Sequence, residues 1–448
     1  MLMPFIRRNV VERLLALKNG SVRLDRWHEL EKTQWLPEAD LRRLQWQRLQ
    51  DMLSFACANN GFYQQRFAVA GITPDMIKTA DDLRRIPILT KEEIRAADLN
   101  LLSRGYTTEG LQHARTGGST GKSLELYYTE ECSEMRNGCA RRHDRWTGWE
   151  PGEPIAACWG NPYLPKTIKE RLQQWLVQPM LYLDTMSVSD GSITEFIAAW
   201  RRIRPTLLFG HAHSLYILAC SLKRLGIENI RPRGILSSSM MLIPSERKII
   251  EEVFGVPVID RYGCEEVSLI ACECECHEGL HLNIDHLFIE FVNEEGMPVA
   301  NGESGKIVVT DLINKAMPLV RYQVEDMGVP TDRKCSCGRG LPLMEEVTGR
   351  VADFLMKCDH TRVAGISLIE NTLTRFAGLV QMQIIQEDVD LFEVRLVVGP
   401  AYTEQTKVDL IVYLQSVFGH DVQVNIVILE EIRPEKNGKF RFSICKIK

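Results

Sequence analysis

Apolar residues recur along this chain with two periods. Over the first hundred residues the period is helical: Leu41, Leu44, Leu49, Met52, Leu53 and Ala56 share one face. Asn59-Asn60-Gly61 breaks that helix, and Pro74 and Pro87 punctuate shorter pieces. Thr90, just ahead of Lys91-Glu92-Glu93, has the chemistry of an N-cap. Between residues 100 and 260 short apolar runs alternate with helical ones. Ile155–Trp159, Thr206–Phe209, Gly234–Ser238 and Val256–Asp260 predict buried strands, with helices at Ser214–Leu225 and Pro244–Phe254. That alternation implies βαβ units and a mainly parallel sheet. Ligands of such sheets bind beyond the carboxyl ends of strands, where Gly210-His211 and Arg261-Tyr262-Gly263 fall.

Downstream the pattern changes. Leu287–Phe291 and Gly305–Thr310 read as short strands joined through turns at Met297-Pro298 and Asn301-Gly302, an antiparallel or barrel-like subdomain. Past Gly349-Arg350-Val351-Ala352-Asp353 the chain reads as a small α+β unit. Its helices are expected at Ile369–Phe376 and Lys407–Phe418, its strands at Val380–Gln386 and Phe392–Val398. The expected class is α/β: a large N-terminal domain over 1–350, with mainly parallel sheets and a small barrel-like subdomain, and a small α+β C-terminal domain over 351–448.

Composition narrows the function. With 45% hydrophobic and 25% charged residues, the 448-residue chain has the balance of a globular protein. A net charge of -5 without a basic block argues against a nucleic-acid-binding body. No apolar run reaches the length of a membrane span, and the N-terminus lacks the layout of a signal peptide. Of 13 cysteines, five stand in two tight clusters, a usage that favours metal over disulfides and a reducing cytoplasm.

The densest chemistry is Thr116-Gly117-Gly118-Ser119-Thr120-Gly121-Lys122-Ser123, beside the strand-like run Leu124–Thr129. Small side chains let backbone N–H groups converge, hydroxyls add donors and the lysine adds charge, so the natural guest is a polyphosphate. It is not a Walker A loop: Gly117 and Gly121 enclose three residues rather than four, and a strand follows instead of a helix.

Four further motifs follow in order: Tyr262-Gly263-Cys264-Glu265-Glu266, Arg321-Tyr322-Gln323-Val324-Glu325-Asp326, Gly349-Arg350-Val351-Ala352-Asp353 and Pro434-Glu435-Lys436-Asn437-Gly438-Lys439. Together with the glycine-rich loop they resemble the adenylate-forming superfamily of acyl-CoA synthetases, and within it the phenylacetate–CoA ligase and CapK-like branch. The resemblance implies ATP-dependent conversion of a carboxylic acid to an acyl-adenylate, followed by acyl transfer to CoA. It implies that Thr116, Gly117, Gly118, Ser119, Thr120, Gly121 and Lys122 hold the phosphates and that Glu266 carries Mg²⁺. Tyr262, followed by Gly263, is implied to stack on adenine, Asp326 to take the ribose hydroxyls, and Arg350 to reach ribose or phosphate. Lys439, on a mobile C-terminal lid, is implied to act on the carboxylate and α-phosphate. The sequence departs from the family at Glu265, where Ser or Thr is usual, at Glu325, where Gly is usual, and at Leu236–Met240, which lacks a common Gly-Glu.

The cysteine clusters are Cys272-Glu273-Cys274-Glu275-Cys276-His277, with His281 soon after, and Cys335-Ser336-Cys337. Thiolates and imidazoles drawn from two segments suit a tetrahedral structural zinc, with seven candidates for four places. The resemblance favours Cys274, His281, Cys335 and Cys337, with Cys276 or His277 as substitutes. Three functions stay open: a CoA ligase, an adenylating enzyme that uses an amine or sugar acceptor, and a nucleotide-binding relative without catalysis. Trp159, Phe209, His211 and His213 are candidates to line the acid pocket; an aromatic lining would favour an aryl acid. The oligomeric state is open, a homodimer included.

Overall fold

A computed structural model describes residues 2–115, 124–159, 165–185, 188–350, 354–358, 362–364, 368–369, 372–373, 375–433, 441 and 443–447. Its first segment is helical: α1 (Leu2–Ile6), a π-helical turn (Arg7–Val11), α2 (Glu12–Asn19), α3 (Arg23–Thr33), α4 (Glu38–Asn59), α5 (Gly61–Val69) and α6 (Lys91–Ala97). The break between α4 and α5 falls at Asn60, whose side chain accepts from the Tyr63 N–H. Thr90 caps α6 in a reciprocal capping box with Glu93.

Strands β1 (Gln112–Arg115) and β2 (Glu125–Tyr128) pair antiparallel on either side of the glycine-rich loop. The expected βαβ alternation follows, through α7 (Glu130–Trp146), β3 (Ile155–Trp159), α8 (Ile168–Val177), β4 (Met180–Asp184), α9 (Asp190–Ile203), β5 (Leu207–His211), α10 (Ala212–Arg224), β6 (Gly234–Ser238), α11 (Pro244–Phe254) and β7 (Val258–Cys264). Strands β4-β3-β5-β6-β7 lie parallel in that order. Their helices cover them with Phe196, Trp200, Leu215, Leu222, Ile250 and Phe254, all buried.

The antiparallel part corrects one expectation. Among the described residues, β8 (Ser268–Glu273), β9 (Leu280–Leu282), β10 (Leu287–Val292), β11 (Gly305–Asp311), β12 (Tyr322–Pro330) and β13 (Leu343–Arg350) form no closed barrel. They extend the parallel sheet across β7 to eleven strands in the order β10-β11-β12-β13-β9-β8-β7-β6-β5-β3-β4. The reason is local. After Cys264 the chain turns back on itself within three residues, so β8 pairs antiparallel with β7 instead of leaving for a separate layer.

The last part carries β14 (Phe354–Met356), β15 (Arg362–Ala364), β16 (Leu379–Asp388), β17 (Leu391–Val398), the helix Glu404–Phe418, β18 (Gln423–Ile428) and β19 (Ser443–Cys445). It has its own core of Leu355, Ile384, Phe392, Leu396, Leu414 and Phe418. Of the helix expected at Ile369–Phe376, Ile369, Thr372, Leu373 and Arg375 are helical, while 370, 371 and 374, and Asp353 at the expected boundary, lie outside the described residues. Among the described residues no helix is long and apolar enough to cross a membrane.

One buried electrostatic knot ties the helical segment to the sheet. Arg142 of α7 and Asp285, both fully buried, pair with each other, and Thr33 donates to Asp285 at 2.9 Å. Arg142 also donates to Asn283 at 2.8 Å, and His286 sits 3.0 Å from the other Asp285 oxygen. Burial alone would raise the Asp285 pKa, but Arg142 and His286 hold it well below the carboxylate range.

Candidate functional site

The turn from β7 to β8 carries Glu266, and the geometry begins with Gly263. A Cβ there would lie 2.4 Å from the Ser268 carbonyl oxygen, so this strand end closes on β8 only with glycine. Glu266 then points inward and is 7% exposed. Its carboxylate accepts from the Tyr322 hydroxyl at 3.0 Å and meets Lys91 Nζ at 3.2 Å. Burial would raise its pKa; the Lys91 charge, its own backbone and Tyr322 more than offset that and hold it low. It is an ionised carboxylate in a nearly closed site, as a hard divalent cation requires.

Lys91 is the residue that sequence reasoning missed. Thr90-Lys91-Glu92-Glu93 reads as a helix start and nothing more. A long-range contact decides: Leu89 bridges to Tyr322 in parallel, which sets the first turn of α6 against β12. The Leu89 N–H donates to the Arg321 carbonyl at 2.8 Å, and Arg321 itself is buried in an ion pair with Glu290 at 2.9 Å. Arg321 is thus a framework residue of its motif.

Tyr262 and Asp326 are brought together, the tyrosine hydroxyl donating to Asp326 Oδ2 at 2.8 Å. Asp326 stands opposite Arg350 in the β12–β13 register, so the aspartate and the arginine of two separate motifs are brought side by side. Glu265 is exposed, whereas Glu266 is buried. The phosphate loop at 116–123, the side chains of Glu325 and Arg350, and Lys439 lie outside the described residues. Among the acid-pocket candidates, Trp159 stacks on Phe209 with centroids 5.0 Å apart and lies 3.9 Å from the His211 ring. Arg261 covers Phe209 from 5.0 Å. His213 departs from this group: it pairs with Glu246 at 2.6 Å, in a cavity shared by α10, α11 and β16.

Away from the sheet end, Cys274, His281, Cys335 and Cys337 converge, with one ligand atom from each within 4.8 Å of the others. Cys274 Sγ lies 3.5 Å from Cys335 Sγ, and Cys337 Sγ lies 3.4 Å from His281 Nε2. A tetrahedral zinc with bonds of about 2.0–2.3 Å sets its ligand atoms roughly 3.5–3.8 Å apart, so this set fits the ion. His281 Nδ1 donates to the Leu341 carbonyl at 3.0 Å, which leaves Nε2 to the cluster. Burial lowers the His281 pKa to about 4, so the ring is neutral near pH 7. The backbone N–H groups of Cys276 and Arg339 each donate to a cluster sulfur at 3.4 Å. His277 turns to Glu273 at 3.3 Å instead.

Residues 355–446 match the family described as the CapK C-terminal domain. The chain is 28% identical to phenylacetate-coenzyme A ligase of Escherichia coli over 335 residues, 71% of this chain and 72% of that one. It is 27% identical to phenylacetate-coenzyme A ligase of Thermus thermophilus, over 72% of this chain and 73% of that one. Among solved structures, 2-hydroxyisobutyryl-CoA ligase in the postadenylation state, in complex with R3-HIB-AMP, superposes with a TM-score of 0.74 at 18% identity, covering 93% of this chain and 92% of that one. The fold is that of the adenylate-forming ligases.

Proposed function

We propose that this relative of the phenylacetate-coenzyme A ligases, with its CapK-type C-terminal domain, activates a carboxylic acid with ATP and passes the acyl group to CoA. One observation carries the reading. A buried, ionised Glu266, held by Lys91 and Tyr322, stands in the turn that follows β7, the strand whose Tyr262 bonds Asp326. In this reading Glu266 is the cation ligand and Tyr262 with Asp326 are the nucleoside-type partners, near the sheet end where α/β sheets take ligands.

The chemistry asked of the residues is positioning and charge. The 116–122 loop would hold the β- and γ-phosphates, and Asp326, acceptor-only when ionised, would take ribose hydroxyls. Glu266 would hold Mg²⁺, which supplies charge neutralisation at the phosphates. Lys91 balances the Glu266 carboxylate while no metal is bound. Arg350 would reach the ribose or phosphate from β13. Lys439, on a C-terminal unit that begins near residue 351, would stabilise the α-phosphate during adenylation. The Trp159–Phe209–His211 stack offers flat apolar surface and suits an aryl acid. Cys274, His281, Cys335 and Cys337 would hold a structural zinc, with all four positions filled by protein.

A second reading keeps the adenylation half and gives the acyl group to an amine or sugar; it stays in view because residues 355–446 match a family described only as the CapK C-terminal domain, which names no CoA acceptor. ATP–pyrophosphate exchange against a panel of aryl and alkyl acids tests the first half-reaction, and adding CoA, amines or sugars to the acyl-adenylate tests the second. Absence of exchange with every acid would refute the reading.

A further inference from the structure

The N-terminal helices dock the wrong way round for a core element. Helix α2 buries no residue, and the buried side chain of the preceding π-helical turn is an arginine. Arg7, 5% exposed, donates to the Gly152 carbonyl at 3.1 Å and to the Trp175 carbonyl at 3.0 Å. The fit is tight: a Cβ on Gly152 would lie 2.7 Å from the Pro4 carbonyl oxygen. Arg7 and Glu12 thus face the protein, beside half-buried Val11 and Leu15. Val10, Leu14 and Leu17, spaced i, i+4, i+7, face outward at 47%, 60% and 79% exposure. At 100° per residue, Arg13 and Lys18, both exposed, fall on the two edges of that stripe.

Helix α8, which meets this segment through Arg7 and Trp175, repeats the pattern. Ile168, Leu172 and Trp175 form an exposed i, i+4, i+7 stripe, and Lys169 and Arg171 flank it. The acids close by are already engaged. Glu12 pairs with Arg141, Glu150 with Arg8 and Arg145, and Glu170 accepts from the Lys166 and Thr167 N–H groups. Two neighbouring helices therefore present apolar stripes bordered by cations on both sides, the pattern of helices that lie in a lipid interface. A second copy is a poor occupant, since a two-fold contact would set Arg13, Lys18, Lys169 and Arg171 against the same charges.

We propose that the face formed by Val10, Leu14, Leu17, Ile168, Leu172 and Trp175 seats the protein on an anionic lipid surface. The apolar stripes enter the boundary between headgroups and acyl chains, the flanking lysines and arginines meet lipid phosphates, and Trp175 sits at the headgroup level, where its ring is favoured.

The test is co-sedimentation of the full chain with vesicles of phosphatidylcholine carrying phosphatidylserine, compared with phosphatidylcholine alone. Binding is expected only to the anionic vesicles, weakening as salt rises. Each Lys or Arg contributes about fivefold to such binding, so Arg13→Glu with Lys169→Glu should lower it by on the order of tenfold or more. Leu14→Glu with Leu172→Glu should abolish it while the thermal midpoint stays unchanged. Trp175 emission should shift to the blue on binding, read as the difference from Trp175→Phe. Equal partition into neutral and anionic vesicles overturns the proposal, as does binding that survives both Glu pairs. So does a parent dimer that Leu14→Glu with Leu172→Glu dissolves while the parent ignores anionic vesicles.

Discussion

Replacing Cys335 and Cys337 together by Ser puts a number on the four-residue cluster. The two thiols stand in the 331–342 connection, which carries no helix or strand. That connection is also tied down by Ser336 to Glu278 at 2.7 Å, Arg339 to Glu275 at 2.9 Å and to Gln34 at 3.0 Å, the Gly340 N–H to the Gln34 carbonyl at 2.9 Å, the Leu282 N–H to the Pro342 carbonyl at 2.8 Å and His281 to the Leu341 carbonyl at 3.0 Å. The Glu278 contact faces solvent and contributes little, and Glu275 is half-exposed. A structural zinc, by contrast, contributes on the order of 10 kcal/mol in peptides that are unfolded without it, and less here because the scaffold is largely preformed. We expect the double variant to lose at least about 3 kcal/mol. Parent protein purified without added metal should hold about one zinc per chain by elemental analysis, and the variant close to none. Calorimetry with and without a chelator measures the stability difference; the chelator should lower the parent's midpoint and leave the variant's unchanged. A parent free of zinc, or a variant that keeps the parent's midpoint in both conditions, refutes the assignment.

Asp326→Asn should weaken ATP binding by roughly 10- to 100-fold, the loss of a charge-assisted hydrogen bond, measured by calorimetric titration; unchanged affinity removes Asp326 from the nucleotide site. Lys439→Ala should slow acyl-adenylate formation by roughly two powers of ten while transfer from a supplied acyl-adenylate survives, and equal loss in both half-reactions would count against a lysine specific to the first. Asp285→Asn should cost about 3–5 kcal/mol, because Arg142 is left buried beside a neutral amide. The depressed Asp285 pKa means that its contribution is fully present above the unfolded carboxylate value near 4 and is lost as pH falls through the folded value. Denaturant titrations below pH 4 should therefore show the parent losing its advantage over the variant; a constant gap would contradict the ion pair.

Much of the fold was legible because it rests on period and punctuation. Helix α11 falls on Pro244–Phe254 as its proline and glycine neighbours dictate, and β3 and β6 lie where their apolar runs are. The barrel was misread because strand spacing says nothing about which edge a strand joins. Only the turn at Cys264–Ser268 sends β8 back along β7. Tyr262 and Asp326 are 64 residues apart, yet motif order alone named both. Lys91 was hidden for the opposite reason: its partner Glu266 is set by the Leu89–Tyr322 bridge, which no local pattern encodes. The inward arginine of the N-terminal helices was illegible too, since amphipathic spacing does not reveal which face turns to the protein.

The strand order also constrains how the chain reaches this structure. Strands β10 to β13 form a meander from consecutive segments, and β5 to β9 are likewise neighbours in sequence order. Among the described residues the two halves pair as strands where β13 lies on β9, joining His281 to Leu343. That seam closes the longest loop between paired strands of the main sheet, and such closures come late in folding because their entropy must be met before any contact forms. The converging sulfurs and imidazole stand at this seam. Zinc held there would act on the kinetics of assembly as well as on the finished protein. Refolding in the presence of a chelator should stall with the parallel half and the meander each formed and the join between them open.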